Sequence, residues 1–280
     1  MTVLVVKMNV FKHTEGVFKS PLSLFGSACS PVHPITPLAM SQESNSYRYA
    51  EFSAPVSRKK RKNAKSKVPL LTLLQNSRDD LKKDEWSTRT HFDALDKKSW
   101  KSTARVVCLG LGSPSNSPIP RAQLGFLLDM CDVLKIDFEQ VTVYDPVFTE
   151  QDHCLLKGLE FRTPLSGEDL GVTADDPTIF FMPHCDIELY ENVLRKNWTG
   201  ERLSNLILVS NRLEDYVENN SVDKLESTAP AVLRIVPFLS SQSLPPSKIW
   251  PAAFNNTSVQ YIPANPDWFS EIPLLPSESE

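Results

Sequence analysis

The chain has 280 residues, 41% of them hydrophobic and 23% charged, with 34 acidic against 30 basic side chains and a formal net charge of −4. That balance is ordinary for a globular protein and excludes polyanion binding driven by bulk charge. No run of about 18 apolar residues occurs, so no membrane-spanning helix is predicted.

Residues 1 to about 68 are rich in serine and proline, lack hydrophobic periodicity, and predict a disordered basic arm that cannot bury enough apolar surface to offset its ordering entropy. Lys7 cuts the apolar stretch Val3 to Val6 short of a signal-peptide core. The arm ends in Arg58, Lys59, Lys60, Arg61 and Lys62, followed by Lys65 and Lys67. Such a run reads as a nuclear import signal for an import receptor, as nonspecific contact with nucleic acid, or as a solvated linker. Without interleaved aromatics, sequence-specific nucleic-acid binding is not expected. Residues 69–104 predict a short amphipathic helix through Leu70, Leu71, Leu73, Leu74 and Leu81, then a linker in which Trp86, Phe92 and Leu95 supply packing groups.

The main domain is expected over residues 105–263. Arg105 to Leu109 is a buried-strand pattern ending at Gly110, and Leu124, Leu127, Leu128, Cys131 and Leu134 form a helical stripe. Val141 to Tyr144 is a second strand, stopped by Asp145-Pro146. Thr149-Glu-Gln-Asp152 is a capping box before a helix reaching Leu159. A short strand is a candidate near Phe161. Thr178 to Met182 is a third strand, and Asp186 begins a helix through Lys196 with Leu189, Tyr190, Val193 and Leu194 on its buried face. Leu206 to Val209 is a fourth strand, Leu213 to Asn219 begins a helix, Val232 to Phe238 is ambiguous, and Ser258 to Ile262 closes the set. Continuously apolar strands alternating with helices predict a Rossmann-like α/β fold, a mostly parallel sheet with helices on both faces. The proline-rich tail, 264–280, reads as loose. Cys29, Cys108, Cys131, Cys154 and Cys185 are odd in number and unpatterned, which predicts reduced thiols and a cytoplasmic or nuclear setting.

In open parallel sheets ligands lie beyond the carboxyl ends of the strands. Four strand ends therefore define the candidate rim: Gly110, Gly112 and Ser113 after the first, Asp145 after the second, His184 and Cys185 after the third, Asn211 after the fourth. Two glycines one residue apart let the backbone approach a nucleotide or S-adenosylmethionine, with Asp145 on a ribose. The usual third glycine is missing, however, and Asp145 lies well beyond the ~20-residue spacing of a ribose-binding acid. A tight turn fixed by Asp145 is the other reading. His184 and Cys185 offer an acid, a base or one axial haem contact, or else a helix start and a packed thiol. No complete catalytic constellation is present, and no cofactor is named by these residues alone.

Several of these segments together resemble the SRR-like family, named for sensitivity to red light reduced. The resemblance is carried by Cys-Leu-Gly-Leu-Gly-Ser (108–113), Arg121, Gln123 and Leu124, and Val-Tyr-Asp-Pro-Val-Phe (143–148). It continues through Thr-Ile-Phe-Phe-Met-Pro-His-Cys (178–185), Leu-Tyr-Glu-Asn-Val-Leu (189–194), Asn197-Trp198, Leu203-Ser204-Asn205 and Ala-Phe-Asn-Asn-Thr-Ser-Val (253–259). Where the family pattern tends to Gly-Asn-Ser, Ser210-Asn211-Arg212 stands. The resemblance implies a cytoplasmic, also nuclear, regulatory protein linked to circadian-clock gene expression and haem biosynthesis. It supplies no catalytic residue.

Overall fold

The computed structural model describes residues 68–84, 104–164 and 172–263, together with Phe269 and Leu275, all within the unit Ala54–Glu280. The basic run Arg58 to Lys62 and the packing groups Trp86, Phe92 and Leu95 lie outside the described residues. Six strands form one sheet in the order β2-β1-β3-β4-β6-β5. They are β1 (Arg105–Leu109), β2 (Val141–Tyr144), β3 (Thr178–Met182), β4 (Leu206–Asn211), β5 (Ser240–Ser243) and β6 (Thr257–Tyr261). The first four run parallel, with Leu109 beside Tyr144 and Met182 beside Ser210, so their carboxyl ends share one rim. β6 and β5 are antiparallel additions. The expected α/β fold with a mostly parallel sheet is therefore present, with a mixed far edge. The candidate strand near Phe161 shrinks to one parallel bridge between Arg162 and Thr142 beyond β2.

Strand alternation divides the core into two layers. Val107, Leu109, Phe180, Met182, Leu206 and Leu208 meet Tyr190, Val193 and Leu194 of α4 (Ile187–Lys196) and Val232 and Ile235 of α8 (Pro230–Ile235). Between these helices come α5 (Gly200–Ser204), α6 (Leu213–Glu218) and α7 (Val222–Thr228). The ambiguous 232–238 stretch is thus helical, started by Pro230 at a position where a proline costs no hydrogen bond. Buried Glu191 of α4 accepts from the amides of Ala231 (2.8 Å) and Val232 (3.0 Å), satisfying donors that the first turn of α8 leaves orphaned.

The opposite face carries α2 (Pro118–Leu134), whose residues from Ala122 to Cys131 are all buried. A helix on one sheet face should show an exposed outer stripe. α2 does not, because α1 (Leu70–Lys83) covers it from outside. Gly125 permits the approach: a Cβ there would lie 3.2 Å from Arg78 Cγ. Arg78 donates to Asp129 at 2.5 Å and to Asp132 at 2.6 Å. At the end of α1, Asp84 accepts from Ser247 Oγ (2.5 Å) and from the amides of Lys248 (2.8 Å) and Ile249 (3.3 Å). The helix expected in the 69–104 linker is consequently a third layer of the domain. In the tail, Phe269 and Leu275 pack against the core, and the Phe269 ring would sit 3.1 Å from a Cβ at Gly200, which corrects the loose reading at those two residues. Cys108, Cys131 and Cys185 are free and buried. Cys154 lies exposed on α3 (Glu150–Gly158). Among the described residues no helix is long and apolar enough to cross a membrane.

Replacing Arg78 by Met removes the cation and leaves Asp129 half-desolvated between two helices. The expected loss is about 3 kcal/mol, the low end for breaking a buried pair from one side. Most of it should return in Arg78→Met with Asp129→Leu. Urea unfolding of the full chain measures both.

Candidate functional site

The loop after β1 turns through two left-handed glycines, Gly110 (φ 66°) and Gly112 (φ 76°), a conformation glycine takes without steric cost. Between β1 and β3 the chain order reverses, the place where open sheets usually admit a ligand. Here that crevice is filled: a Cβ on Gly110 would lie 2.5 Å from the sulfur of Cys185. The Gly112 amide donates to Asp145 Oδ2 at 2.8 Å, while Asp145 Oδ1 accepts from the Val147 amide at 2.9 Å.

Ser113 and Ser115 are held by a second carboxylate. Ser113 Oγ donates to Asp152 at 2.6 Å and the Ser115 amide at 2.7 Å. Thr149 gives Asp152 its amide (2.9 Å) and hydroxyl (2.8 Å), the capping box at the start of α3. Burial pushes the Asp152 carboxyl up; the bonds from Ser113, Thr149 and Ser115 outweigh it and hold the group below its ordinary value. The glycine loop therefore spends its donors on the protein's own acids. The helix that follows starts with Pro118 and Pro120, which have no N–H to offer an anion.

After β3 the chain turns at His184, which has a left-handed backbone (φ 57°). Its amide donates to Asn211 Oδ1 (3.0 Å). Asn211 Nδ2 in turn donates to the Tyr216 hydroxyl (3.1 Å), and that hydroxyl donates to the Cys185 carbonyl (2.8 Å). Tyr190 donates to the Met182 carbonyl at 2.8 Å. These bonds brace a conformation that a non-glycine residue rarely adopts. The two side chains of the dipeptide diverge. His184 is exposed, with Nε2 3.2 Å from the carbonyl of Ala253 on α9 (Pro251–Phe254). Cys185 is buried and its thiol donates to the Leu109 carbonyl at 3.4 Å. Burial, with the charges of Asp145 and Asp186 adding to it, pushes that thiol up to about 12. It stays protonated at neutral pH, unlike an activated nucleophile or a thiolate ligand.

The seven residues singled out from the sequence thus lie along one rim, joined in pairs. Gly112 meets Asp145, Gly110 meets Cys185, and His184 meets Asn211, while Ser113 binds Asp152. Sequence reasoning missed Asp152 as a rim residue, since its capping-box position already accounted for it. It also missed Tyr216, Gln123 and Ala253, none of which falls at the end of a parallel strand. Gln123, buried, donates to the Ala253 carbonyl at 2.9 Å and ties α2 to the rim. Among the described residues no three His, Cys, Asp or Glu side chains are grouped as a metal ion would need.

A three-layered α/β domain whose strand-end rim is closed by its own hydrogen bonds defines the class. The chain belongs to the SRR1 domain family, which it matches over residues 70–261. That match begins at α1, in keeping with its place in the domain. It is 31% identical to mouse SRR1-like protein over 48% of this chain and 54% of the relative. To Arabidopsis thaliana Protein SENSITIVITY TO RED LIGHT REDUCED 1 it is 30% identical over 62% of this chain and 63% of the relative. To Drosophila melanogaster SRR1-like protein it is 32% identical over 41% of each. The chain thus spans less than two thirds of each of these relatives. No solved structure matches.

Gly110→Ala should destabilise by more than the ~1–2 kcal/mol cost of a left-handed alanine, because the added methyl meets the Cys185 sulfur. In a Cys185→Ala background the steric part vanishes. A urea double-mutant cycle should give a coupling of about 1 kcal/mol or more; zero coupling would refute the contact. Asp152 makes a pH prediction. Its folded pKa lies below the unfolded value, so its stabilisation is complete above that value, ~3.9, and disappears as pH falls through the folded pKa. Asp152→Asn should cost about 2 kcal/mol at neutral pH and flatten this part of the acid limb in pH-stepped urea titrations.

Proposed function

We propose that this SRR1-family protein is a regulator that works by binding a protein partner or small ligand at the strand-end rim, and that it influences clock-gene expression and haem synthesis. The reading places it in the cytoplasm and nucleus, with Arg58 to Lys62 engaging an import receptor. The observation that carries it is the pairing of the rim's reactive groups with one another. Asp145 and Asp152 are occupied by the glycine loop, and the Cys185 thiol is held protonated. Such a rim suits recognition better than bond-making. The name of the Arabidopsis relative, sensitivity to red light reduced, supports a regulatory output. The alternative, an enzyme holding S-adenosylmethionine or a nucleotide at Gly112, draws little support: a phosphate there would have to displace the Asp145 carboxylate.

Asp186 gives a test that spares the fold. Its carboxylate is exposed and does not cap the helix it precedes. In cells lacking the endogenous protein, the full chain should restore a rhythmic reporter and haem content. Asp186→Lys, at equal abundance and within a few degrees in Tm, should restore neither. Purified full chain turning over a nucleotide or methyl donor at ordinary enzyme rates, about 1–10³ s⁻¹, would overturn the reading.

A further inference from the structure

His184 carries more positioning than a surface histidine needs. Its backbone is left-handed, held there by the Asn211 side chain, and Tyr216 braces the next carbonyl. Its ring is fixed from a different direction, through Nε2 and the Ala253 carbonyl at 3.2 Å. A carbonyl oxygen only accepts, so in the neutral ring Nε2 carries the proton and Nδ1 the lone pair. The same Ala253 carbonyl takes the amide of Gln123, a side chain only 2% exposed that reaches it from α2 at 2.9 Å. Groups from β4 and α6 therefore fix the backbone around His184, while α9, tied to α2 through Gln123, meets its ring, although that imidazole is itself exposed. An outer partner that fixes the tautomer of a histidine and leaves its other nitrogen directed outward is a recurrent arrangement where the histidine contacts a ligand.

We propose that His184 is the contact residue of the rim, accepting a hydrogen bond from its ligand through Nδ1, and that Gln123 is a positioning residue acting through the Ala253 carbonyl. The ligand class follows: it presents an N–H or O–H donor at the rim. This rests on the rim reading above, and adds to it which atom makes the contact and what it contacts.

The first measurement needs no ligand. The full chain, with five histidines, is ¹⁵N-labelled at histidine and examined by long-range proton–nitrogen correlation in buffer of about pH 8.5, where an imidazole carries a single ring proton. The His184 signals, assigned by their loss in His184→Asn, should show one tautomer, protonated at Nε2. In Gln123→Leu the two nitrogens should move toward an averaged value as the carbonyl loses its anchor. A dominant Nδ1–H form in wild type overturns the proposal, and an unchanged spectrum in Gln123→Leu removes Gln123 from it.

The second measurement separates contact from latch. An asparagine amide falls near the place of Nδ1 and also tolerates a left-handed backbone; a glutamine amide falls near the place of Nε2. If Nδ1 meets the ligand, His184→Asn keeps most of the cellular rescue and His184→Gln loses it, roughly 5–10-fold, the effect of one hydrogen bond. If the ring merely latches to Ala253, His184→Gln rescues and His184→Asn does not, which overturns the proposal. Full rescue by both of these and by Asp186→Lys, with the Nε2–H spectrum intact, sinks the rim reading itself and the contact with it.

Discussion

Carboxylates that accept backbone amides are the interaction on which this domain depends. Asp145 takes the amides of Gly112 and Val147, and Asp152 those of Ser115 and Thr149. Glu191 takes Ala231 and Val232, and Asp84 takes Lys248 and Ile249. In each case a turn or helix start exposes N–H groups that have no partner within their own segment. Where such donors are buried, as at Ala231 and Val232, leaving them unpaired costs about as much as a lost hydrogen bond. An acid distant in sequence meets the need each time, except for the local caps at Val147 and Thr149. The same bonds that satisfy the turns therefore tie the layers together: β2 and α3 to the glycine loop, α4 to α8, and α1 to the segment before α9.

That solution has a consequence at the rim. In dinucleotide-binding folds the donors of a glycine loop and of the following helix are left for a phosphate. Here the acids have replaced it, and the switch-point crevice is occupied by the Cys185 sulfur against Gly110. What the rim still presents has moved along the sheet, toward the place where parallel β4 meets antiparallel β6. The reversal of direction brings the start of β6 and all of α9 up to the strand ends, and so supplies the Ala253 carbonyl that meets His184.

The sequence makes β1, β3 and β4 legible because each is a nearly continuous apolar run bounded by a turn residue, a pattern that burial on both faces enforces, while β2, at the sheet edge, alternates buried Val141 and Val143 with half-buried Thr142 and Tyr144. It also gives the rim, since parallel strands put their last residues on one side. β5 was not legible: Ser240 to Ser243 has no apolar residue, and it forms at an exposed edge where only backbone pairing is required. The direction of β6 was hidden too, because alternation reports which face is buried and says nothing of strand polarity. The docking of α1 was half visible. Leu74 and Leu81 announce an apolar face, but the partner that covers it is set by Gly125 and by Asp129 and Asp132, which in α2 look like ordinary helix positions. The Asp152 lock escaped notice for a related reason: the capping box explains one use of the carboxylate and masks the other.

The contacts of Ser210-Asn211-Arg212 show which part of the rim is constrained. Both polar ends of the Asn211 side chain are engaged, Oδ1 by the His184 amide and Nδ2 by the Tyr216 hydroxyl. A residue with a single polar function would release either the left-handed turn or the tyrosine. The flanking positions are asked for less. Arg212 contributes its backbone amide to the Asn256 carbonyl at 3.1 Å, which any residue but proline supplies, and its guanidinium turns aside to Glu214 and Asp215. Ser210 accepts from Gln260, whose amide also reaches the Asn211 carbonyl at 2.9 Å and so holds the strand end without help from the serine. A change on either side of Asn211 leaves the geometry of the His184 turn standing, because that geometry passes through the asparagine amide, the Tyr216 hydroxyl and the backbone.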